Sequence, residues 1–178
     1  LPGSLYSLAN LKTDLNYDLR GDVRSQEETV KAFRTVQPDL VFHLAAQALV
    51  RRGFKEPVAT YETNVLGTLN VLEASARSDS VRAQLIVTSD KVYAPRSNLR
   101  AYVESDPLGG EDPYSASKAM ADIMAQEWLL SGRTKPGAVV RAGNVIGAGD
   151  SSQDRLLPDI VRACQSGADV KIRYPGAS

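Results

Sequence analysis

Two stretches of sequence decide the predicted fold and site: Leu85-Ile86-Val87-Thr88-Ser89-Asp90-Lys91, and later Tyr114-Ser115-Ala116-Ser117-Lys118. β-Favouring residues that end in small and charged groups are typical of a buried parallel strand whose carboxyl end opens into a site. Asp112 and Pro113 predict a helix start, with Asp112 as the N-cap and Pro113 at the first helical position. Tyr114 and Lys118 then lie one turn apart on the same helix face.

The Ser89 hydroxyl, the Tyr114 phenol and the Lys118 ammonium group can therefore converge. A phenol is a weak base at neutral pH, but an ammonium group one turn away favours its phenolate form. Ser89 would hydrogen-bond a substrate oxygen while Tyr114 takes its proton, which prepares an alcohol to lose a hydride to a nicotinamide. A Y-x-x-x-K pair alone is weak evidence, because many such pairs are merely solvated. The Ser-Asp-Lys strand end before it favours catalysis.

Composition limits the classes of function. The 178 residues are 43% hydrophobic and 24% charged, which is typical of one globular domain or a piece of one. Lys and Arg total 21, as do Asp and Glu, so no overall charge favours nucleic acid or an anionic membrane. No apolar run approaches the ~20 residues that cross a bilayer, and the first residues do not resemble a signal peptide. The single Cys164 fits a reducing cytoplasm, which is the predicted location.

Strand and helix patterns alternate along the chain. Strands are predicted near 16–17 and at 39–44, 85–87, 138–142 and 170–173, and helices at 25–37, 58–77, from 113 onward and at 154–166. This alternation predicts a doubly wound α/β fold, with a parallel sheet covered on both faces. The continuous hydrophobicity of 39–44 predicts a fully buried strand. The stripe of Met120, Ile123, Met124 and Trp128 predicts a core-facing helix surface.

Ligands of such folds bind beyond the carboxyl ends of the strands. The small pair Ala45-Ala46, the segment 89–91 and the glycine-rich loop 143–150 all fall there. His43, the single histidine, ends a predicted buried strand, so a hydrogen-bonded core imidazole is the default interpretation. No cluster of His, Cys, Asp and Glu suggests a metal site.

Several motifs follow one another in the order of a known family. They are Asp18-Leu19, Leu44-Ala45-Ala46-Gln47, the segment 63–68, Ser89-Asp90-Lys91, the segment 114–118 and the segment 141–147. The chain thereby resembles the extended short-chain dehydrogenase/reductases, and more narrowly the nucleotide-sugar 4,6-dehydratases, closest to those that act on CDP-glucose. The narrower resemblance depends on residues 42–47, 49–52, 88–91, 106–110, 141–150 and 154–159.

The resemblance implies an NAD cofactor and a nucleotide-sugar substrate. The implied NAD-binding residues are Asp18, Leu19, Leu44, Ala45, Ala46, Gln47, Asn64, Tyr114 and Lys118, and the implied substrate contacts are Arg51, Asn144 and Arg155. Plainer roles stay open, including a turn cap for Asp18, close packing for the two alanines, a structural hydrogen bond for Asn64 and a solvated surface for Arg51. In the family, the helices at 58–77 and from 113 onward also form a dimer interface, so a homodimer or higher oligomer is expected. Some of the stripe on the second helix would then be buried by the partner rather than by the core.

The implied reaction uses NAD in both directions. Tyr114 would deprotonate the C4 hydroxyl of glucose as hydride leaves C4; water would then be eliminated across C5 and C6, and hydride would return to C6. Asp90 matches the family's acid for the C6 hydroxyl. Lys91 stands at the position of the base, a role that requires a neutral amine. A charged Lys91 would instead stabilise the enolate, and a solvated loop pair is the plainest interpretation of Asp90 and Lys91.

The chain departs from the family in one respect, because it contains no G-x-x-G-x-x-G turn. Gly143, Gly147 and Gly149 follow a late strand and lack that spacing. We therefore expect residues 1–178 to be a partial NAD-binding Rossmann domain that lacks the first βαβ unit and most of the substrate domain. The segment of about 144–178 would include the start of the sugar-nucleotide-binding part.

Other functions remain compatible with the sequence. A UDP-sugar 4-epimerase or a decarboxylase of the same superfamily would share the tyrosine and lysine without needing an acid–base pair at residues 90 and 91. A non-catalytic module that senses nicotinamide redox state would keep the fold but not need Ser89, Tyr114 and Lys118 intact. A fragment without activity of its own is the third alternative.

Overall fold

The computed structural model describes residues 10–97, 100–147, 149–152 and 154–172. The chain divides into two compact units. One unit is Leu19–Gly143, and the other combines Leu1–Asp18 with Asn144–Ser178. The first unit contains the sheet and all five residues of the predicted catalytic set.

A parallel sheet lies at the centre of the first unit. Within the described residues its strands are β1 (Leu40–His43), β2 (Ala83–Val87) and β3 (Gly137–Val140), with β2 in the middle. His43 pairs with Ile86, and Val87 pairs with Val140, so the three carboxyl ends lie at the same edge. The predicted α/β class and these three predicted strands are confirmed.

Helices connect the strands. They are α1 (Gln26–Val36), α2 (Val50–Lys55), α3 (Pro57–Tyr61), α4 (Gly67–Ala76), α5 (Pro113–Leu130) and α6 (Leu156–Ser166). A π-helical turn, Glu62–Leu66, joins α3 to α4, so the helix predicted at 58–77 is present with one wider turn. Short 3-10 turns occupy Leu11–Asp14 and Asp90–Val92. The helix α6 begins slightly later than predicted.

The helix α5 packs against its neighbours mainly through small and polar residues. Its buried residues are Tyr114, Ser115, Ser117, Lys118, Ala119, Ala121, Asp122 and Ala125. Of the four large residues predicted to face the core, Met124 and Trp128 pack against it, but Met120 and Ile123 are 50% and 55% exposed. The prediction is wrong for those two, because small alanines allow close packing and buried charges are tolerated where they are paired.

The outer face of β1 is open. Leu40 and Phe42 are 57% and 63% exposed, whereas His43 on the opposite face is buried. The prediction of a fully buried strand is therefore wrong for the described residues. Strand residues alternate between two faces, and α4 contacts β1 on one of them.

Two predicted strands are not found. Residues 16–17 and 170–172 do not pair as strands, and residue 173 lies outside the described residues. An extended segment becomes a strand only when its backbone hydrogen-bonds to a neighbouring strand, which local sequence cannot supply. No helix in the described ranges is both long enough and apolar enough to cross a bilayer.

Candidate active site

The helix α5 starts as the Asp112-Pro113 pair predicts. The Asp112 carboxylate accepts the backbone N–H groups of Tyr114 at 2.9 Å and Ser115 at 3.0 Å. Pro113 occupies the first helical position, where its missing N–H removes no helical hydrogen bond. Gly53 of α2 lies against this start, since a Cβ at Gly53 would stand 3.2 Å from the Tyr114 nitrogen. These contacts hold the backbone from which the Tyr114 side chain projects.

Tyr114 and Lys118 lie on the buried face of α5, where they are 9% and 6% exposed. The Lys118 ammonium group donates a hydrogen bond of 3.0 Å to the carbonyl of Val87, the last residue of β2. Burial lowers the pKa of Lys118 to about 8, and the nearby Asp122 carboxylate opposes this shift. Lys118 is therefore mostly protonated at neutral pH and places a positive charge one turn from Tyr114.

A turn begins one residue after the end of β2, with Ser89, Asp90 and Lys91. The Ser89 hydroxyl donates to Asp90 Oδ1 at 3.1 Å and accepts the Lys91 N–H at 3.1 Å, so Ser89 caps the 3-10 turn. Ser89 is 5% exposed, whereas Asp90 and Lys91 are exposed. The helix α5 packs against this turn. The structure thus brings the strand end and the tyrosine helix together, while the catalytic role of each residue stays a prediction.

Asn64 links the end of β1 to α5. It lies in the π-helical turn, a local irregularity that recurs at functional sites, and it is 1% exposed. Its Oδ1 accepts the Gln47 N–H at 2.8 Å, and its Nδ2 donates to the Gln47 carbonyl at 3.1 Å and to Ser117 Oγ at 2.8 Å. Ser117 in turn donates to the Tyr114 carbonyl at 2.7 Å. These bonds agree with the structural role left open for Asn64, and its contact with NAD stays a prediction.

His43 is the core imidazole that the sequence favours. It is 5% exposed, and its Nε2 lies 2.9 Å from the Thr68 hydroxyl. Because that hydroxyl donates to the Asn64 carbonyl at 2.7 Å, Nε2 is inferred to carry the proton. Burial, assisted by the charge of Lys118, lowers the pKa of His43 to about 4, so the ring is neutral near pH 7. In the part of the chain that the structure describes, no group of three or more His, Cys, Asp and Glu residues could hold a metal ion.

Asp122 is the site residue that the sequence reasoning missed. It is fully buried one turn beyond Lys118, and its carboxylate forms a salt bridge of 2.9 Å with Arg141. Burial raises the pKa of Asp122, but hydrogen bonds from Arg141, Thr88 and Gln126 outweigh it and hold that pKa below its usual range. The available signal was an acidic residue on the same helix face as Tyr114 and Lys118.

The loop after β1 suits the approach of a flat ligand. Leu44 is 68% exposed, Ala45 is exposed and Ala46 is half-buried, and neither alanine has a side chain beyond Cβ. Gln47 anchors the loop, since its Nε2 donates to Thr60 Oγ1 at 3.0 Å. These residues fit close backbone contact with part of a dinucleotide. The sequence contains no G-x-x-G-x-x-G turn to hold the diphosphate, so the fit covers only part of the cofactor.

The remaining predicted residues lie in different units. Leu19, 49% exposed, and the exposed Arg51 of α2 belong to the first unit. Asp18 and Asn144, both exposed, and the half-buried Arg155 directly before α6 belong to the second. Their roles in binding NAD or substrate stay predictions.

Comparisons with known proteins show which family this chain belongs to. The family model described as "NAD dependent epimerase/dehydratase family" matches residues 4–177. A CDP-glucose 4,6-dehydratase from Salmonella typhimurium is 40% identical over 97% of this chain and 50% of its own length. A structure of a dTDP-glucose 4,6-dehydratase from Streptomyces venezuelae, with NAD bound, has a TM-score of 0.78 and 28% identity, over 90% of this chain and 48% of that one.

An epimerase structure is similar as well. The UDP-glucose 4-epimerase of Thermus thermophilus, in complex with NAD, has a TM-score of 0.67 and 32% identity, over 76% of this chain and 43% of that one. The chain thus spans about half the length of the relatives it matches. Because the family model covers nearly the whole sequence, this chain belongs to the NAD-dependent epimerase/dehydratase family.

Proposed function

We propose that the full-length protein is an NAD-dependent nucleotide-sugar 4,6-dehydratase, and that it converts CDP-glucose to CDP-4-keto-6-deoxyglucose. One observation carries this proposal: Tyr114 and Lys118 are buried near the start of α5, and α5 packs against the Ser89–Lys91 turn. The 40% identity to a protein named CDP-glucose 4,6-dehydratase supports the choice of substrate.

Tyr114 is the base of the first step in this proposal. In its phenolate form, which the charge of Lys118 stabilises, it takes the proton of the C4 hydroxyl and becomes a neutral phenol. NAD supplies the acceptor for the C4 hydride and the donor that returns it to C6. Ser89 hydrogen-bonds the same substrate oxygen, which requires its hydroxyl to turn away from Asp90 Oδ1.

Asp90 and Lys91 serve the elimination of water. Asp90 protonates the leaving C6 hydroxyl, and Lys91 acts on the C5 side. Lys91 is exposed, so the described residues do not provide the burial that a neutral lysine base needs. We therefore assign Lys91 the role of a cation that stabilises the enolate, and in this proposal the C5 proton passes to a base other than Lys91.

The assignment of Lys91 can be tested with two substitutions in the full-length protein. Lys91→Arg keeps the positive charge but removes a group that can become neutral, and Lys91→Met removes both. We expect Lys91→Arg to retain at least a tenth of the turnover, and Lys91→Met to lose about 100-fold, in line with the usual worth of an electrostatic contact. Equal loss in both variants would identify Lys91 as the base.

The identity of the product tests the reaction. CDP-glucose, dTDP-glucose and UDP-glucose should be incubated separately with the full-length protein and NAD, and the alkali-induced absorbance of a 4-keto sugar should be measured. Keto sugar from CDP-glucose is the expected result. The epimerase alternative draws on the similarity to the UDP-glucose 4-epimerase, and epimerised product without keto sugar would establish it.

Tyr114→Phe separates an enzyme from a sensor of nicotinamide. The substitution removes one hydroxyl from a side chain that is 9% exposed, so the fold should persist. We expect turnover to fall at least about 100-fold, the usual effect of losing a general base. Unchanged biological activity in this variant would favour the non-catalytic sensor.

We further propose that the loop residues Leu44, Ala45 and Ala46 contact NAD together with Tyr114 and Lys118, and that Asp18 and Leu19 contribute to the adenine end. For substrate we propose contacts from Arg51, Asn144 and Arg155. Isothermal titration with NAD checks the first set: Ala45→Leu should weaken binding, because a larger side chain occupies the space next to the backbone.

We also propose a cytoplasmic homodimer. Exposed apolar side chains on neighbouring helices support the dimer, since Val58 is 69% exposed, Leu66 is 51% exposed, and Met120 and Ile123 of α5 are similarly open. Analytical ultracentrifugation of the Ile123→Asp variant tests this idea. A charged residue at a dimer interface should shift the protein to monomers, whereas an unchanged sedimentation coefficient would contradict the proposal.

A further inference from the structure

The Asp122 carboxylate connects α5 to Thr88, the residue between the end of β2 and Ser89. Asp122 is fully buried on the face of α5 that also carries Tyr114 and Lys118. Its Oδ2 accepts a hydrogen bond of 2.8 Å from Thr88 Oγ1 and another of 3.0 Å from Arg141 Nε. One side chain of α5 therefore holds the residue next to Ser89.

The backbone around Ser89 is held from the other side as well. The Thr88 N–H donates to the Val140 carbonyl at 2.8 Å, and the Asp90 N–H donates to the Ala142 carbonyl at 2.9 Å. These bonds extend the pairing of β2 and β3 beyond the ends of both strands. The bond between Thr88 and Asp122 then ties this strand end to α5, next to the bond from Lys118 to the Val87 carbonyl.

Arg141 holds the carboxylate in place. Its Nη2 donates to Asp122 Oδ1 at 2.9 Å, while Nη1 donates to the Tyr93 hydroxyl oxygen at 3.0 Å and to the Glu104 carbonyl at 2.8 Å. A buried carboxylate needs such compensation, because an unpaired charge is strongly disfavoured in the interior. These bonds hold the Asp122 carboxylate in place, and its contact toward Ser89 is the hydrogen bond from Thr88.

We propose that Asp122, acting through Thr88 and held by Arg141, is a positioning residue that sets the Ser89 hydroxyl relative to Tyr114 and Lys118. This inference rests on the proposed function, in which Ser89 and Tyr114 act on the same hydroxyl of the substrate. It assigns no contact with substrate to Asp122 or Thr88. A misplaced Ser89 should slow the chemical step and leave substrate affinity nearly unchanged.

Substitutions of Thr88 in the full-length protein test the proposal with little change in shape. Thr88→Val removes the hydroxyl that Asp122 accepts, and Thr88→Ser keeps it. We expect Thr88→Val to lower kcat roughly 10- to 100-fold with KM within a factor of about three, and Thr88→Ser to stay within about threefold of the wild type. Thr88→Ala serves as the comparison with Thr88→Ser if the valine variant does not fold, as judged by circular dichroism.

Thr29 offers a matched control. It is also a buried threonine, its hydroxyl donates to the Ser25 carbonyl at 2.9 Å, and it lies in α1. Thr29→Val also removes a buried hydroxyl and its hydrogen bond, but it should leave kcat unchanged. If folded Thr88→Val keeps wild-type kcat, or if Thr29→Val lowers kcat equally, the positioning role is wrong.

The rate of the first hydride transfer gives a second measurement. Rapid mixing of each variant with saturating nucleotide sugar, followed by the absorbance of the reduced nicotinamide, should show a slower rise in Thr88→Val and a near-normal rise in Thr88→Ser. The ratio of the reduction rates in Thr88→Val and Thr88→Ser tests the positioning role, with whichever nucleotide sugar the wild type oxidises. The identity of the sugar product tests the proposed function. A dehydratase with equal rates in both variants would refute only the positioning role, and a slowed epimerase would refute only the dehydratase assignment.

Discussion

Two buried polar networks attach α5 to the ends of the strands, and they differ in charge. Toward β1, Asn64 joins Gln47 to Ser117 through neutral amide and hydroxyl groups. Toward β3, Asp122 joins Thr88 to Arg141 through a carboxylate and a guanidinium group. Both networks hold a strand end against the helix that carries the candidate tyrosine and lysine.

This difference in charge determines how much stability is lost when one residue of either network is removed. A broken neutral hydrogen bond leaves a polar group whose lost solvation costs about 1–3 kcal/mol. A broken buried ion pair leaves a full charge, which costs about 3–5 kcal/mol. We therefore expect the Asp122 network to fail as a unit and the Asn64 network to weaken in steps.

Asp122→Ala should give the largest loss of stability. Removing the carboxylate leaves the Arg141 guanidinium group, whose side chain is only 13% exposed, without its ionic partner. We expect the free energy of unfolding in urea to fall by about 3–5 kcal/mol. The double variant Asp122→Ala/Arg141→Ala should lose less than the sum of the two single variants, and simple additivity would show that the pair is not coupled.

Asn64→Ala should have the next largest effect. It removes the partners of the Gln47 backbone groups and of Ser117 Oγ, so we expect a loss of about 3 kcal/mol in urea unfolding. Asn70 is a matched control in α4, because its half-buried amide donates to the carbonyls of Val23 at 2.9 Å and Arg24 at 3.1 Å. Asn70→Ala should lose about 1 kcal/mol, and equal losses would mean that burial does not distinguish the two sites.

Acid should lower stability through His43, which is joined to the Asn64 network by the Thr68 hydroxyl. The pKa of His43 is about 4 in the fold and about 6.5 when unfolded, so the unfolded chain binds more protons between these values. Stability therefore falls as the pH drops through this window, by about 2.5 kcal/mol from this residue at pH ~4.5. His43→Gln, which cannot titrate, should show a shallower decline in urea unfolding between pH ~6.5 and ~4.5. Parallel curves for the two proteins would contradict the assignment.

Arg52→Ala should give the smallest loss of stability. It should show that an ion pair contributes little to stability when it is exposed to solvent. Arg52 pairs with Glu56 at 3.0 Å, but the two side chains are 58% and 49% exposed. Exposed pairs of this spacing contribute about 0.3–0.5 kcal/mol, so the loss should be near the error of thermal unfolding. A loss above about 1 kcal/mol would mean that solvent screens this pair less than its exposure suggests.

Features that depend on neighbouring residues were predictable. The cap by Asp112, the start of α5 at Pro113 and the spacing of Tyr114 and Lys118 follow from local hydrogen bonding and helical geometry. The three central strands followed from continuous apolar runs. The proximity of the Ser89 turn to α5 followed from the rule that the carboxyl ends of parallel strands share an edge.

Other features required contacts between distant residues. The strands predicted near 16–17 and at 170–173 had suitable residues, but pairing with a neighbouring strand is a property of the whole fold. The exposure of Met120 and Ile123 depended on which face of α5 meets the sheet, and small alanines occupy that face because they permit closer packing.

By itself, the sequence determined the α/β class, the position of the candidate catalytic residues along the chain and the capped start of the helix that carries two of them. Only the tertiary structure decided that Asp122, Thr88 and Arg141 form one buried network, since the three residues come from a helix and two strand ends. The physical reason is that a buried charge is stable only beside its partner. The partners of Asp122 are distant in the chain and adjacent only after the sheet and α5 have packed together.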